Sequence, residues 1–255
     1  MFEVTQHEAA EVSYSVDAGV ATATAASLAD RLGTLDLFQR LAAIRAQIAG
    51  RIVFTSSFGL EDQVIAHAIF TQRLAIDVVT LETGRLFPET HAVWAETERR
   101  YGSRITAFAP TQASVDALLA RQGLDGMYDS VAARLDCCAV RKVVPLAQAL
   151  AGSAAWITGI RADQSADRAR LAPVAFDKQY RLIKANPLFD WTRDQADAFV
   201  RANAIPYNKL HDRGYLSIGC APCTRAVAPG EPERAGRWWW EQSNKKECGL
   251  HVSAA

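Results

Sequence analysis

The sequence lacks an excess of charge of either sign, because 28 lysine and arginine residues are matched by 28 aspartate and glutamate residues. Broad nucleic-acid binding normally needs a basic surplus on one face, so this balance argues against a nucleic-acid partner. Any anion-binding site must therefore be local. The chain also has no uninterrupted apolar run of membrane-spanning length, and we expect no membrane insertion.

The first residues of the chain lack both a basic leader and an apolar core segment, so they do not resemble a secretory signal. No internal repeat or low-complexity tract is evident. A content of 49% hydrophobic and 22% charged residues is typical of a globular protein, and 255 residues suffice for one well-buried α/β domain. We expect a cytoplasmic protein, and the sequence leaves its oligomeric state open, a homo-oligomer included.

Cysteine is scarce, and the five cysteines favour metal-binding or catalytic thiols over a disulfide framework. Cys137 and Cys138 are adjacent, and Cys220 and Cys223 share one tight turn. A disulfide between adjacent cysteines would be strained, and chelation of one zinc ion by both is awkward. A four-iron cube offers a separate corner to each thiolate, so these four sulfurs suffice for an iron-sulfur cluster. A zinc ribbon or buried unpaired thiols are the alternatives.

The fifth cysteine, Cys248, lies in a cationic stretch near the end of the sequence. Lys245 and Lys246 precede it and His251 follows it. Such neighbours lower the pKa of a thiol and favour the nucleophilic thiolate. Gly249 provides a pivot, and a position near the chain end indicates a mobile arm rather than a core thiol. An incidental surface cysteine is the alternative.

Apolar segments with two different periodicities alternate along the chain and predict an α/β fold. Apolar residues at helical spacing between residues 21 and 49 predict a pair of helices. Strands are predicted within residues 51–56, 75–83, 103–110, 154–160 and 179–188, and helices within 57–70, 88–102, 140–151 and 192–203. Strands separated by helices imply a mainly parallel sheet with helices on both faces. Ligands of such sheets bind beyond the C-terminal ends of the strands.

Three loops at that edge carry candidate binding groups. Residues 55–62, TSSFGLED, offer hydroxyls, a glycine and a helix N-terminus to a phosphate, although the Gly-Lys-Ser/Thr ending of a Walker loop is missing. Residues 82–90 could grip a ribose or base through backbone groups. Residues 158–168 bring Arg161 and Arg168 to the edge, and guanidinium groups bind phosphate or sulfate in bidentate fashion. Ordinary turns and solvated loops are the alternatives.

Further cations lie near the cysteines in the sequence. Lys142 follows the adjacent pair and would bring positive charge close to anionic thiolates. Arg234 and Arg237, three residues apart, could share a helical face and reach an anion. Each of these side chains could equally be an ordinary solvated charge.

Taken together, the CC pair, the CxxC pair and the ECGLH ending resemble the assimilatory phosphosulfate reductases, specifically the iron-sulfur-containing adenylyl-sulfate reductases of bacteria. The similarity extends from Arg51 to His251. It implies a fold similar to the adenine nucleotide α-hydrolase (PP-loop) group, with adenosine 5'-phosphosulfate bound so that its sulfate points toward the cluster. By this resemblance the chain would divide into an N-terminal helical segment (1–50), a nucleotide-binding and iron-sulfur domain (51–240) and a mobile tail that carries the catalytic cysteine (241–255).

The resemblance also implies roles for individual residues. Cys248 would attack the sulfate sulfur, expel AMP and become a thiosulfonate. The ligands of a 4Fe-4S cluster would be Cys137, Cys138, Cys220 and Cys223. The residues expected near the phosphosulfate are Lys142, Arg161, Arg168, Arg234, Arg237 and His251, and those of the phosphate loop and the adjoining substrate pocket are Ser56, Ser57, Gly59 and Gly159.

The electrons for this reaction would come from outside the chain. No plant-type thioredoxin-like domain follows the tail, so we expect a separate thioredoxin or glutaredoxin as reductant. The thiosulfonate route needs no electron from the cluster, whose expected role is electrostatic and structural. The nearest alternative is the same chemistry on 3'-phosphoadenylyl sulfate or on both nucleotides. A second is a tRNA-thiolating PP-loop enzyme, but the SGGxDS loop of such enzymes is missing. A third is a zinc-stabilised binding module.

Overall fold

The computed structural model describes residues 17–242 and 247–250. Its helices are α1 (Ala18–Leu32), α2 (Leu37–Gln47), α3 (Leu60–Gln72), α4 (Pro88–Tyr101), α5 (Gln112–Gln122), α6 (Val131–Cys138), α7 (Val144–Leu150) and α8 (Arg193–Ala202). The strands are β1 (Ile52–Ser56), β2 (Asp77–Leu81), β3 (Thr106–Phe108), β4 (Ala155–Ile157), β5 (Val174–Asp177) and β6 (Leu182–Ala185). Within the described ranges, every helix is too short or too polar to cross a lipid bilayer.

The strands form one sheet in the order β3-β2-β1-β4-β6-β5. All neighbouring pairs are parallel except β5 and β6, which are antiparallel. The chain proceeds from β1 through β2 to β3 on one side, whereas β4 lies on the other side of β1. Ligands of doubly wound sheets bind where the strand order reverses, which here is beyond the C-terminal ends of β1 and β4.

Both faces of the sheet are covered, as the strand sequences require. Phe54 on β1 packs in a large apolar cluster with side chains of α1, α2, α3 and α8, whereas its neighbour Val53 packs in a second cluster with Leu146 and Leu150 of α7. Successive strand residues point to opposite faces, so a strand that is apolar at consecutive positions must be buried on both. The predicted mainly parallel sheet with helices on both faces is confirmed.

The predicted N-terminal helix pair is present as α1 and α2. Leu28 and Leu41 are fully buried in the large cluster. Arg40 of α2 joins the pair to the sheet, because its guanidinium donates to both carboxylate oxygens of Asp190 at 2.6 and 2.7 Å and to the carbonyl oxygen of Pro187 at 2.8 Å. These helices therefore share one core with the strands.

Three elements were not predicted. Helix α5 is capped by the hydroxyl of Thr111 and α6 by the hydroxyl of Ser130, each three residues before the amide that it accepts from. Both caps are readable signals, but α5 has a weak apolar stripe and buries a single residue, Leu118, and α6 has only eight residues, of which Arg134 and Cys138 are buried. Strand β5 has four residues, and its antiparallel pairing with β6 depends on the turn between them, where Asp177 accepts from the amides of Gln179 and Tyr180.

Candidate active site

The loop after β1 begins the site. The amide and the hydroxyl of Ser57 donate to the Oδ2 atom of Asp62 at 2.6 and 2.7 Å, and the amide of Phe58 donates to the hydroxyl of Ser56. Phe58 has a left-handed φ of 58°, and its buried ring stacks on Trp94. Burial raises the pKa of Asp62 to about 6. The donors of Ser57 in the predicted phosphate loop therefore bind a carboxylate of the protein.

The loop after β4 lies directly against this carboxylate. A Cβ atom added to Gly159 would lie 2.3 Å from Oδ1 of Asp62 and 3.2 Å from Cβ of Glu61. Such a contact with Asp62 is closer than real Cβ atoms approach their neighbours. The absence of a side chain at this position is what lets the loop after β4 pack against the first turn of α3.

Arg161 lies behind the pocket rather than in it. Its fully buried guanidinium donates to Glu61 at 2.7 Å and to both carboxylate oxygens of Glu233 at 2.9 and 3.0 Å. Burial by itself would lower the pKa of Arg161, but these two carboxylates raise it above its usual value. The placement differs from the expected phosphosulfate contact, because the guanidinium joins the loop after β4 to α3 and to the segment before Arg234.

A cluster of cations lines the same pocket. Lys142, Arg168, Arg234 and Arg237 all line it. Burial, and then the repulsion of Arg168, lowers the pKa of Arg234 to about 10. Among the residues that the structure describes, the buried Nε atom of Arg237 has no hydrogen-bond partner. A group of partly buried cations that repel one another is a suitable receptor for an anion with several oxygens.

The carboxylate of Glu247 also lies in this cation cluster. Arg168 contacts it at 2.8 Å and Arg234 at 3.2 Å. Glu247 was not among the predicted site residues: it is the first residue of the ECGLH ending, but only Cys248 and His251 of that motif were assigned roles. Its neighbour Cys248 is buried and lines the same pocket as Lys142.

The tail is further held by Arg134 of α6, which the sequence also did not single out. The buried guanidinium pairs with the carboxylate of Glu241 at 2.7 and 2.9 Å, and it donates to the carbonyl oxygen of Glu247 at 2.5 Å. Its Cζ atom lies 4.5 Å from the ring centre of Trp238. The predicted mobility of the tail stays a prediction, and Lys245, Lys246 and His251 lie outside the described residues.

The four paired cysteines meet next to Cys248. Cys137 and Cys138 end α6, Cys220 caps a short 3-10 turn that ends at Cys223, and all four line one small cavity. Each is a free thiol. The hydroxyl of Thr83 lies 3.3 Å from the sulfur of Cys220. The two sequence pairs, more than 80 residues apart, are thus brought to one place.

Cations also surround this cavity. Arg85, Arg134, Arg141 and Lys142 line it with the cysteines. Burial would lower the pKa of Lys142, but the electrostatic effect of the sulfurs of Cys220, Cys248 and Cys138 holds it above its ordinary value. Lys142 lies in a π-helical turn between α6 and α7, an irregularity often found at functional sites. It lines both this cavity and the pocket, and so connects them.

The donor set fits an iron-sulfur cluster by its chemistry. Four free thiols at one cavity, with cations around them, are the ligands that such a cluster takes, and the cations offset the negative charge of thiolates. Among residues 17–242 and 247–250, no three or more histidine, cysteine, aspartate or glutamate side chains form a group that could hold a single metal ion. Thiolates on a cube are spread over separate irons rather than gathered on one ion.

The fold and the site define a doubly wound α/β protein whose pocket at the strand reversal joins a cation cluster to a buried thiol. The family described as "Phosphoadenosine phosphosulfate reductase domain" matches residues 51–226. The chain belongs to this family, and the resemblance to phosphosulfate reductases is confirmed.

Relatives of known name cover nearly the whole chain. The adenosine 5'-phosphosulfate reductase of Agrobacterium fabrum is 54% identical over 97% of this chain and 95% of its own length. That of Rhizobium meliloti is 55% identical over 89% and 85%. The crystal structure of phosphoadenylyl-sulfate (PAPS) reductase from Candida auris, in a phosphate complex, superposes with a TM-score of 0.67 at 26% identity, covering 79% of this chain and 95% of that one.

The close contact at Gly159 leads to a first prediction. Gly159→Ala should lower the free energy of unfolding by about 1–3 kcal/mol, because the new methyl group collides with the buried carboxylate of Asp62. Chemical denaturation of the variant measures this change. Gly33→Ala is the matched control, since a Cβ atom there meets nothing within 4 Å. Equal stability of the two variants would contradict the close packing of the two loops.

Proposed function

We propose that this protein reduces adenosine 5'-phosphosulfate to sulfite and AMP with electrons from a thiol, in assimilatory sulfate reduction and cysteine biosynthesis. One observation carries the proposal. The thiol of Cys248 lies in the same pocket as Lys142, Arg168, Arg234 and Arg237, at the edge of the sheet where a nucleotide would bind. The names of the relatives agree with this substrate.

The charges of the pocket suggest how the substrate is oriented. The phosphosulfate lies toward the arginines and Lys142, because its oxygens carry the negative charge. The adenosine lies toward the loops after β1 and β4, from which Ser57, Gly59 and Gly159 line the pocket. Glu61 and Asp62 at that end disfavour a second anion, so the substrate has one preferred direction.

The first chemical step forms a bond between sulfur and sulfur. The thiolate of Cys248 attacks the sulfate sulfur, the bond between that sulfur and the bridging oxygen breaks, and AMP leaves with the electron pair. Attack of an anion on an anion is disfavoured in water. Lys142, Arg234 and Arg237 offset this repulsion and the charge that develops on the leaving phosphate.

The second step is the reduction itself. A thiolate of an external dithiol attacks the sulfur of Cys248, forms a mixed disulfide and expels sulfite with the electron pair. The second thiol of the reductant then displaces Cys248 as a thiolate. The dithiol has lost two electrons, and the sulfur of sulfate has gained them on becoming sulfite.

The reductant is a separate dithiol protein of the thioredoxin or glutaredoxin class. With four of the five cysteines assigned to a cluster, no second thiol remains in this sequence to resolve the intermediate. Free thiols and a dithiol reductant suit the cytoplasm, where cysteines are kept reduced.

We further propose that Cys137, Cys138, Cys220 and Cys223 hold a 4Fe-4S cluster. When bound, the cluster supplies a fixed charge distribution and ties α6 to the turn at residues 220–223, and no electron from it is needed. Lys142 links this region to the pocket, because its side chain faces both. Arg134 on the same helix then holds the tail that carries the nucleophile.

Loss of the nucleophile tests the mechanism. Cys248→Ser should lower sulfite formation by at least about 10³-fold, because a neutral hydroxyl replaces a thiolate. Sulfite release from adenosine 5'-phosphosulfate and a thioredoxin-class reductant is the measurement. The brown colour of the protein should remain, which shows that the cluster site is intact. Unchanged turnover would refute the assignment of Cys248.

Loss of a cluster ligand tests the cofactor. Anaerobically purified protein should contain about four iron and four acid-labile sulfide per chain. Cys220→Ser should reduce both, whereas Cys248→Ser, the matched control with the same chemical change, should retain both. Zinc without acid-labile sulfide would favour the zinc-stabilised binding module instead.

The choice of nucleotide tests the orientation. We expect kcat/KM for adenosine 5'-phosphosulfate to exceed that for 3'-phosphoadenylyl sulfate by at least about tenfold, or about 1.4 kcal/mol. The reason is that an added phosphate at the adenosine end meets the carboxylates of Glu61 and Asp62. Equal values for the two nucleotides would support the dual-specificity alternative.

A further inference from the structure

The side chain of Glu247 forms an ion-pair network with two cations of the pocket. The Nε and Nη2 atoms of Arg168 donate to its Oε1 atom at 3.1 and 2.8 Å, and Nη2 also reaches Oε2 at 3.1 Å. Arg234 contacts Oε2 at 3.2 Å. The three side chains are largely buried, with exposures of 12% for Arg168, 15% for Arg234 and 28% for Glu247.

The contacts of Arg168 use all of its nitrogen atoms. Nε and Nη2 bind Glu247, and Nη1 donates to the side-chain oxygen of Gln164. A guanidinium binds an oxyanion best through two parallel hydrogen bonds from one edge. Since the edge formed by Nε and Nη2 is occupied by Glu247, an oxyanion can take this edge only if the carboxylate leaves.

The backbone of the same residue is held independently of its side chain. Arg134 donates to the carbonyl oxygen of Glu247 at 2.5 Å, and its own position is set by the bidentate pair with Glu241. The carboxylate can therefore leave Arg168 while the neighbouring backbone stays next to α6. Cys248 follows directly in the chain.

We propose that Glu247 is an internal competitor of the substrate, whose carboxylate occupies Arg168 and Arg234 until the anionic group of the nucleotide displaces it. The inference rests on the proposed function, because it requires that these arginines contact the phosphosulfate. In the empty pocket the carboxylate offsets the charge of two largely buried cations, and buried charges are costly unless they are compensated. On binding, the nucleotide takes over this neutralisation and releases the side chain next to the nucleophile.

The competition has a measurable cost in affinity. A ligand that binds only the fraction of molecules with free arginines has its apparent affinity reduced by that fraction. Removal of the competing charge should therefore strengthen the binding of nucleotides that carry the terminal anion. A glutamate that merely fastens the tail would leave affinity unchanged or weaken it.

The test is the affinity of ADP, whose terminal phosphate stands in for the sulfate, by calorimetry without divalent cations. Glu247→Gln should bind ADP about three- to tenfold more tightly than the unaltered protein, and adenosine, which lacks the anion, should bind equally to both. Glu231→Gln is the matched control, since it removes one carboxylate from an ion pair with Arg225 outside the pocket. Unchanged or weaker ADP binding by Glu247→Gln would overturn the inference.

Two further variants separate this inference from the proposed function. Arg168→Ala should weaken ADP binding, and in that background Glu247→Gln should strengthen it by less. If Arg168→Ala leaves ADP affinity unchanged, the assignment of Arg168 to the substrate fails. If Arg168→Ala weakens ADP binding but Glu247→Gln brings no gain in affinity, only the competition fails.

A replacement variant is needed if Glu247→Gln does not fold, as judged by iron content and circular dichroism. Glu247→Asp then serves, because its shorter side chain should give a smaller gain in ADP affinity. No gain would overturn the inference.

Discussion

The pairing of buried cations with anions is the constraint on which this site depends. Lys142 and Arg237 are less than one-tenth exposed, and Arg168 and Arg234 only slightly more. A buried charge without a partner is costly, so each of these side chains is tolerable only beside negative groups. The carboxylate of Glu247 is one such group, and Cys220 is another, because burial would raise its pKa but Lys142 and Thr83 hold it below its ordinary value. The arrangement that stabilises the pocket is therefore also the one that suits it to a phosphosulfate.

A second set of charges, around Arg161, is neutralised within the protein. Arg161 is neutralised within the protein by Glu61 and Glu233, so its charge is not available to a ligand. The same ion pairs fix the positions of α3 and the loop after β4, between which Gly159 lies against Asp62. The pocket is thus lined by the carboxylates of Glu61 and Asp62 as well as by cations and a thiol.

Helix α6 and the turn after it concentrate several roles in a short stretch. Helix α6 carries Arg134, which binds the tail, and it ends in Cys137 and Cys138. The π-helical turn that follows directs Lys142 toward both the cysteine cavity and the pocket. These residues lie on one continuous helical stretch, so the cysteines, the contact with the tail and the pocket are connected through a single backbone segment. The proposed structural role of a cluster follows from this connection.

The sequence by itself determined the alternation of strands and helices, since periodicity and helix caps are local properties. It also determined which residue types could do chemistry, because cysteine pairs and a cysteine next to lysines are rare patterns. Only the tertiary structure decided which of two arginines in one loop faces the pocket. Arg161 pairs with Glu61, 100 residues away, and with Glu233, 72 residues away, whereas Arg168 reaches Glu247 on the tail. Burial and ion pairing between distant segments depend on the packing of the whole chain, and no local pattern records them.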